Sequence, residues 1–205
     1  YTGALGYIGA KSGLSLDLLA VKTFGTKGSY LPSAMISFTQ MGWFGVGLAM
    51  FAIPIAKVAF GDSPLAIYTM VALAGVCMTA TAYFGIKSLA LISYVAVPCV
   101  AILGTIAMVM AIMQGDKGLV EQFDLGNKTM GIVAGAGLVI GSFISGGTAT
   151  PNFSRFSKNG KVGCLITVAA FFIGNSLMFL FGAVSSIYVG GNDIFDVMIN
   201  LNLFY

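Results

Sequence analysis

Five long apolar runs, separated by short polar segments, dominate the pattern of the chain. Each run reaches or exceeds the roughly 20 residues that an α-helix needs to cross the hydrocarbon core of a membrane. The runs that predict spanning helices are residues 30–56, 65–86, 89–113, 130–151 and 162–189. Residues 1–10 predict the end of one further helix. The pattern therefore predicts an all-α polytopic membrane protein, with residues 1–205 forming one transmembrane domain that is a piece of a longer protein.

The composition supports this class and argues against several others. Hydrophobic residues make up 58% of the chain and charged residues 8%, whereas soluble domains have about 25% charged residues. The net charge of +3 is too small and too dispersed to indicate a nucleic-acid partner. The chain has no histidine, and Cys77, Cys99 and Cys164 show no metal-type spacing. Because no catalytic motif is present either, we expect no catalytic residue, no enzyme activity, no cofactor and no metal site in this part of the protein.

The charges of the connecting segments predict the orientation in the membrane. Three segments carry a net positive charge: residues 11–29, 87–88 and 152–161. The segments between them are neutral or acidic: residues 57–64, 115–129 and 190–196. Loops rich in lysine and arginine stay on the cytoplasmic side of a membrane. We therefore expect the three positive segments to be cytoplasmic.

The apolar run at 130–151 differs from the others in its glycine content. It has no charged residue, yet it holds glycines at positions 131, 135, 137, 141, 146 and 147 and ends at Pro151. A transporter helix that unwinds in mid-membrane must line a cavity with its exposed backbone. The glycine content predicts a broken helix of this kind. The alternative is that the glycines allow helices to cross closely.

Two groups of side chains within these runs could bind a small molecule. Gln40 and Trp43 stand three residues apart on one predicted helix and so share a face. A planar polar ligand could stack on the indole and hydrogen-bond the amide; packing between helices explains the same pair equally well. The second group is Ser142, Phe143 and Ser145, where a break in the helix would place backbone groups beside an aromatic ring.

Several stretches of the chain resemble one family of transporters. They include Leu5-Gly-Tyr-Ile-Gly-Ala-Lys-Ser-Gly-Leu14, Gln40-Met-Gly-Trp-Phe-Gly45 and Gly141-Ser-Phe-Ile-Ser-Gly-Gly-Thr148. Residues 171–179 and 196–199 continue the likeness, which is collinear and covers essentially the whole chain. The chain resembles the nucleobase–cation symporters from the end of their second helix to the start of their eighth. This resemblance implies a leucine-transporter-like fold of five plus five helices in an inverted repeat.

The resemblance also implies roles for the two groups of side chains. Trp43 and Phe143 look like the aromatic faces that sandwich a nucleobase, and Gln40 looks like the side chain that bonds its polar edge. Ser142, with Ser145 and Gly141, looks like the place where unwound backbone meets the ligand. We see no departure from the family pattern at these positions.

The expected activity is secondary active import of cytosine across the inner membrane by alternating access. The family likeness implies a coupling cation, Na⁺, at a site outside this chain, and the remaining helices of the same transporter as partners alongside the lipid bilayer. The alternatives are the same fold carrying uracil, a purine, allantoin, hydantoin or a vitamin. A passive channel and a membrane enzyme are further alternatives from other classes.

Overall fold

The computed structural model describes residues 1–61, 63–115, 118, 121, 130–190, 197–198 and 200–201. Most of the charges assigned above to 115–129 and 190–196, and part of the family likeness at 196–199, lie outside these residues. The helices are α1 Thr2–Ser12, α2 Leu16–Gly28, α3 Tyr30–Phe60, α4 Pro64–Tyr83, α5 Ile86–Gln114, α6 Ile132–Thr148, α7 Pro151–Ser154, α8 Gly160–Ala169 and α9 Asn175–Val189. A π-helical turn, Ala170–Gly174, joins α8 to α9.

Five segments are long and apolar enough to cross a membrane. They are α3, α4, α5, the α6–α7 segment Ile132–Ser154 and the α8–α9 segment Gly160–Val189. At most 17% of the most apolar part of any of them is buried within the chain, so most of their apolar side chains face outward, as lipid requires. The all-α polytopic membrane class is therefore confirmed. The five-plus-five inverted repeat stays a prediction.

The ends of the spanning helices follow from local backbone chemistry. Gly61 and Gly85 adopt positive φ angles of 70° and 79° after α3 and α4, a conformation that costs glycine little. Pro64 then starts α4, where its missing N–H is not needed. At the N-terminus, α1 and α2 form a bent pair with an angle of 88° between them. Gly13, with φ 67°, ends α1 at this bend.

The predicted break in the glycine-rich run is wrong for residues 132–148. The α6 helix is continuous from Ile132 to Thr148, through Gly141 and Gly146, and ends at a turn before Pro151. Each glycine lowers helix propensity by about 1 kcal/mol relative to alanine. A backbone group left unpaired in hydrocarbon costs several times more. The continuous helix pairs these groups internally, so it prevails over the weak propensity of its glycines.

The contacts within the chain divide it into two compact units. The first comprises Tyr1–Phe44 with Lys128–Ser176, and the second Gly45–Asn127 with Leu177–Tyr205. The sequence of the first unit has seven lysine and arginine residues and one acidic residue, whereas that of the second has three and six. The grouping by contacts thus separates basic from acidic segments. Lys87, which was predicted to be cytoplasmic, belongs to the second unit, so the expected orientation stays a prediction.

In the first unit, α1 and α8 approach each other backbone to backbone. Gly3, Gly6 and Gly9 recur every three residues on α1 and are all buried. A Cβ atom added to Gly6 would lie 2.8 Å from the carbonyl oxygen of Gly163 on α8, and one added to Gly163 would lie 2.7 Å from that of Gly6. Neither distance is possible for a real side chain, so only glycine permits this contact.

The short helix α7 is fixed to α1 and to the start of α2. Its Pro151 and Ser154 pack on Gly9 of α1, where an added Cβ would lie 2.8 Å from the Cα of Pro151. Asn152 accepts a hydrogen bond from the N–H of Leu16 through Oδ1 at 2.9 Å. Ser15, the residue before α2, makes no such bond with its own side chain. Asn152 therefore caps α2 from a distant part of the chain.

In the second unit, small residues of α5 allow larger side chains to pack. Ala107 and Ala111 form a buried cluster with Val197, Met198 and Leu201. A Cβ atom added to Gly104 would collide with the ring of Phe181 on α9. An apolar cavity of about 380 Å³ lies beside this contact. It is lined by Pro54, Ile55, Val58, Ala59, Val100, Leu103, Gly104, Met178, Phe181, Gly182 and Met198.

The contact between Gly6 and Gly163 predicts opposite effects for two glycine-to-alanine changes. Gly163→Ala should lower the melting temperature of the purified protein, because overpacking of a tight contact costs about 1–3 kcal/mol. Gly137→Ala is the matched control, since no other element in the described part of the chain lies within 4 Å of its added Cβ. It should leave the melting temperature unchanged or raise it through better helix propensity. Equal melting temperatures for the two variants would contradict this role of the α1–α8 contact.

Candidate functional site

The first candidate group lies near the middle of α3. Gln40 is half-buried and Trp43, one turn further on, is 43% exposed. Both lie within one continuous helix, so they share a face as predicted. Neither side chain makes a hydrogen bond or ring contact with another residue in the described part of the chain. An amide and an indole thus lie side by side on α3, and neither forms a hydrogen bond within the described part of the chain.

The second candidate group lies in the C-terminal half of α6. Ser142 and Phe143 are half-buried, and Ser145 is buried. The Ser142 hydroxyl donates a hydrogen bond to the carbonyl oxygen of Val139 at 2.8 Å, which leaves its oxygen free to accept one. Gly141 precedes them, and none of the other elements that the structure describes lies within 4 Å of a Cβ added there. A flat molecule could therefore approach the α6 backbone closely at Gly141.

The two candidate groups both lie near the middle of their spanning segments. Phe143 is the central residue of the segment Ile132–Ser154, and Trp43 lies two residues from the centre of Tyr30–Phe60. If both segments cross the same hydrocarbon layer, the two aromatic rings lie at similar depth. Equal depth does not make the two rings neighbours, but a ligand that contacts both rings requires it.

The structure does not join the two groups into one site. Within the described residues, α6 packs on α1, and no comparable packing joins α3 to α6. Trp43 contacts no other aromatic ring in the same part of the chain. The structure thus brings Gln40 to Trp43 on α3. On the continuous helix α6, Gly141 and Ser142 share a face with Ser145, whereas Phe143, two residues from both Gly141 and Ser145, lies on a different face. The predicted sandwich of a ligand between Trp43 and Phe143 stays a prediction.

The C-terminal end of α6 is held by the start of α1. A Cβ atom added to Gly147 would lie 2.7 Å from Cγ2 of Thr2. The hydroxyl groups of Tyr1 and Thr148 hydrogen-bond at 2.8 Å. Gly147 therefore serves close helix packing, which was the alternative to a helix break. At Gly146, by contrast, no neighbouring element among the described residues lies within 4 Å of an added Cβ. These contacts fix the position of α6 one turn beyond Ser142 and Phe143.

Sequence reasoning missed the elements that support this group. It treated residues 1–10 only as a helix end, although the spacing of Gly3, Gly6 and Gly9 is a signal of close helix packing. It also gave no role to Asn152, whose capping partner is distant in sequence. No pattern in the sequence indicates the hydrogen bond between Leu16 and Asn152.

A resident metal ion has no evident ligands in this part of the protein. In the ranges that the structure describes, no three His, Cys, Asp or Glu residues gather into a possible metal site. The charged residues of the five spans lie at their ends: Lys57 in α3, Lys87 in α5 and Lys161 in α8. The two candidate groups are therefore uncharged and suit a neutral ligand.

Comparison with known proteins identifies the family. Residues 1–203 match the family described as permeases for cytosine/purines, uracil, thiamine and allantoin. Cytosine permeases of Escherichia coli strain K12, strain CFT073 (O6:H1) and O157:H7 are each 47% identical to the chain over 200 residues. The aligned region is 97% of this chain and 46% of each relative, so the chain spans about half the length of these permeases.

A family of membrane permeases accounts for both the spanning helices and the uncharged candidate groups. The matched family is one of transporters and not of enzymes, and five of the helices described above can cross a membrane. The chain belongs to the family of permeases for cytosine/purines, uracil, thiamine and allantoin, and it is part of a multi-pass membrane protein.

Proposed function

We propose that the protein containing this chain is a secondary active transporter that imports cytosine across the inner membrane. The observation that carries the proposal is the 47% identity to cytosine permeases across 97% of the chain. The aligned part of the chain spans the segments that hold both candidate groups. Uracil, purines, allantoin, hydantoin and vitamins remain the competing substrates for the same fold.

The proposed binding site uses Trp43 and Phe143 as two stacking faces and Gln40 as the polar contact. Aromatic rings of a protein stack on the π-face of a base, and each such contact is worth about 1–3 kcal/mol. The amide of Gln40 offers two donors and an acceptor. It meets no partner among the described residues. A base bonded to this amide would satisfy a polar group whose desolvation is otherwise costly.

The serines of α6 supply further polar contacts in this proposal. Because α6 is a continuous helix, we assign these contacts to hydroxyl groups and not to unwound backbone. Ser142 has an oxygen lone pair free beside Phe143, and Ser145 lies one turn further on the same face. Gly141, one turn before Ser145 on the same face, leaves the helix backbone accessible beside that hydroxyl group.

Transport would couple cytosine to a cation gradient, with Na⁺ as the coupling ion and its site in the remaining helices. Alternating access would come from one group of helices moving against another around the ligand. A passive channel would equilibrate cytosine without concentrating it. A membrane enzyme would require ionisable side chains near the ligand, and the two candidate groups contain none.

Uptake of labelled cytosine tests the stacking site. The full-length protein should be expressed in cells that lack their own permease, as wild type and as Trp43→Ala, Trp43→Phe and Phe38→Ala. Trp43→Ala should raise the KM for uptake about tenfold or more, because one stacking face is lost. Trp43→Phe should retain much of the uptake. Phe38→Ala is the matched control, since Phe38 lies on the same helix and is 72% exposed.

The outcomes of this experiment separate the substrate from the site. Normal uptake by Trp43→Ala at equal expression would contradict the role of Trp43. No cytosine uptake by the wild type would contradict the substrate, and competition by unlabelled uracil, purines or allantoin would then identify the class that is carried.

The coupling ion is tested by the gradient and not by a residue of this chain. Accumulation of cytosine above its external concentration should require an inward Na⁺ gradient and should collapse when a sodium ionophore removes it. The measurement is concentrative uptake into proteoliposomes with Na⁺, K⁺ or a pH difference imposed. Equal accumulation driven by a pH difference alone would contradict sodium coupling.

A further inference from the structure

Four basic residues of the first unit form a patch at the ends of three helices. Lys11 lies at the end of α1, Arg155 follows α7, and Lys158 and Lys161 flank the start of α8. We call these four residues the basic patch. Tyr7 joins the end of α1 to the start of α8, because its ring packs on Gly160: an added Cβ there would lie 2.7 Å from Cε2 of Tyr7. The Nζ of Lys11 lies 5.6 Å from the centre of the same ring. The α7 helix before Arg155 packs on Gly9 of α1.

The basic patch lies at the surface of the membrane because of the helices around it. Residues 155–159 connect the spanning segments Ile132–Ser154 and Gly160–Val189. A connection this short between two spans must lie at the level of the lipid headgroups. Two aromatic side chains flank it: Phe153 and Phe156 are 59% and 57% exposed. Exposed aromatic rings beside basic residues are typical of segments that enter the membrane interface.

The charges of the basic patch are not neutralised by the protein. None of its four side chains makes a hydrogen bond or ion pair with another described residue. Asp17 is the only acidic residue of the first unit in sequence. It makes no ion pair with them in the described structure.

Arg155 is held in place without being paired. Its guanidinium lies 4.8 Å from the centre of the Phe156 ring, and its Nε is buried with no hydrogen-bond partner among the described residues. Ser154 and Thr150, in the same turn, also have buried hydroxyl groups without a partner there. The contact with Phe156 orients a guanidinium that keeps its donors unused, and such a group binds phosphate well.

From these contacts we infer that the basic patch binds the phosphate of an anionic phospholipid headgroup. Arg155 donates hydrogen bonds to the phosphate, and Lys11, Lys158 and Lys161 add attraction to the negative membrane surface. Phe153 and Phe156 enter the lipid interface beside the headgroup. The lipid would therefore bridge the end of α1, the α7 turn and the start of α8. This inference does not depend on which substrate the transporter carries.

Lipid retention by the purified full-length protein tests the inference. The protein in detergent is titrated with phosphatidylglycerol or with phosphatidylcholine, and native mass spectrometry counts the lipids that remain bound. Wild type should retain phosphatidylglycerol in preference to phosphatidylcholine, less so at high salt. Arg155→Gln should reduce the affinity for phosphatidylglycerol about fivefold, as expected for one cation at an anionic surface. Arg155→Lys should lose less.

Lys22→Gln on α2 is the matched control, because it removes the same charge from the same unit outside the basic patch. The melting temperatures of all variants are compared, so that loss of fold is recognised. An equal loss of lipid for Lys22→Gln and Arg155→Gln would overturn the inference, since general charge would then explain the binding. Displacement of the bound lipid by inorganic phosphate at low concentration, with no preference between the two lipids, would also overturn it and indicate a soluble phosphate ligand.

Discussion

The first unit depends on the direct contact between the backbones of α1 and α8. Gly6 and Gly163 approach so closely that neither could carry a side chain, and the helices are held by the packing of many atoms at short range. Once α1 is fixed in this way, its other contacts follow. Thr2 and Tyr1 reach the last turn of α6, and Gly9 receives α7. The position of the serines and phenylalanine on α6 is thus set by a contact that involves none of them.

The same membrane setting explains why α6 remains a helix despite its glycines. In hydrocarbon the cost of unpaired backbone groups exceeds the preference of glycine for other conformations. The glycines nevertheless leave gaps on two faces of α6, one at Gly135 and Gly146 and the other at Gly137 and Gly141, where no other described element lies within 4 Å of an added Cβ. A bare helix surface of this kind can accept either another helix or a flat ligand. In the proposed site, Phe143 provides the stacking face, and Gly141 leaves the backbone accessible on the neighbouring face that holds Ser145.

The sequence was enough to predict the spanning segments, but it was not enough to predict the contacts between helices. Hydrophobic length predicted the five spanning segments because lipid imposes it on each helix separately. The end of α3 was placed four residues early, since the apolar run stops at Lys57 but the backbone continues to Phe60 until Gly61 turns it. A break in α6 was predicted from its glycine content alone. That prediction did not take into account the free-energy cost of leaving backbone groups unpaired in hydrocarbon. The capping of α2 by Asn152 could not be predicted, since nothing local indicates a partner 136 residues away.

The central claim is that one nucleobase contacts both α3 and α6, and protection of introduced cysteines tests it most directly. Thr39→Cys lies one turn before Trp43, and Gly146→Cys lies one turn after Phe143; Val133→Cys, 87% exposed at the far end of α6, is the control. Each is placed in the full-length protein with its native cysteines replaced. Cytosine should slow thiol modification at positions 39 and 146 with the same half-maximal concentration and leave position 133 unaffected. Protection of only one helix, or at two different concentrations, would contradict a shared site.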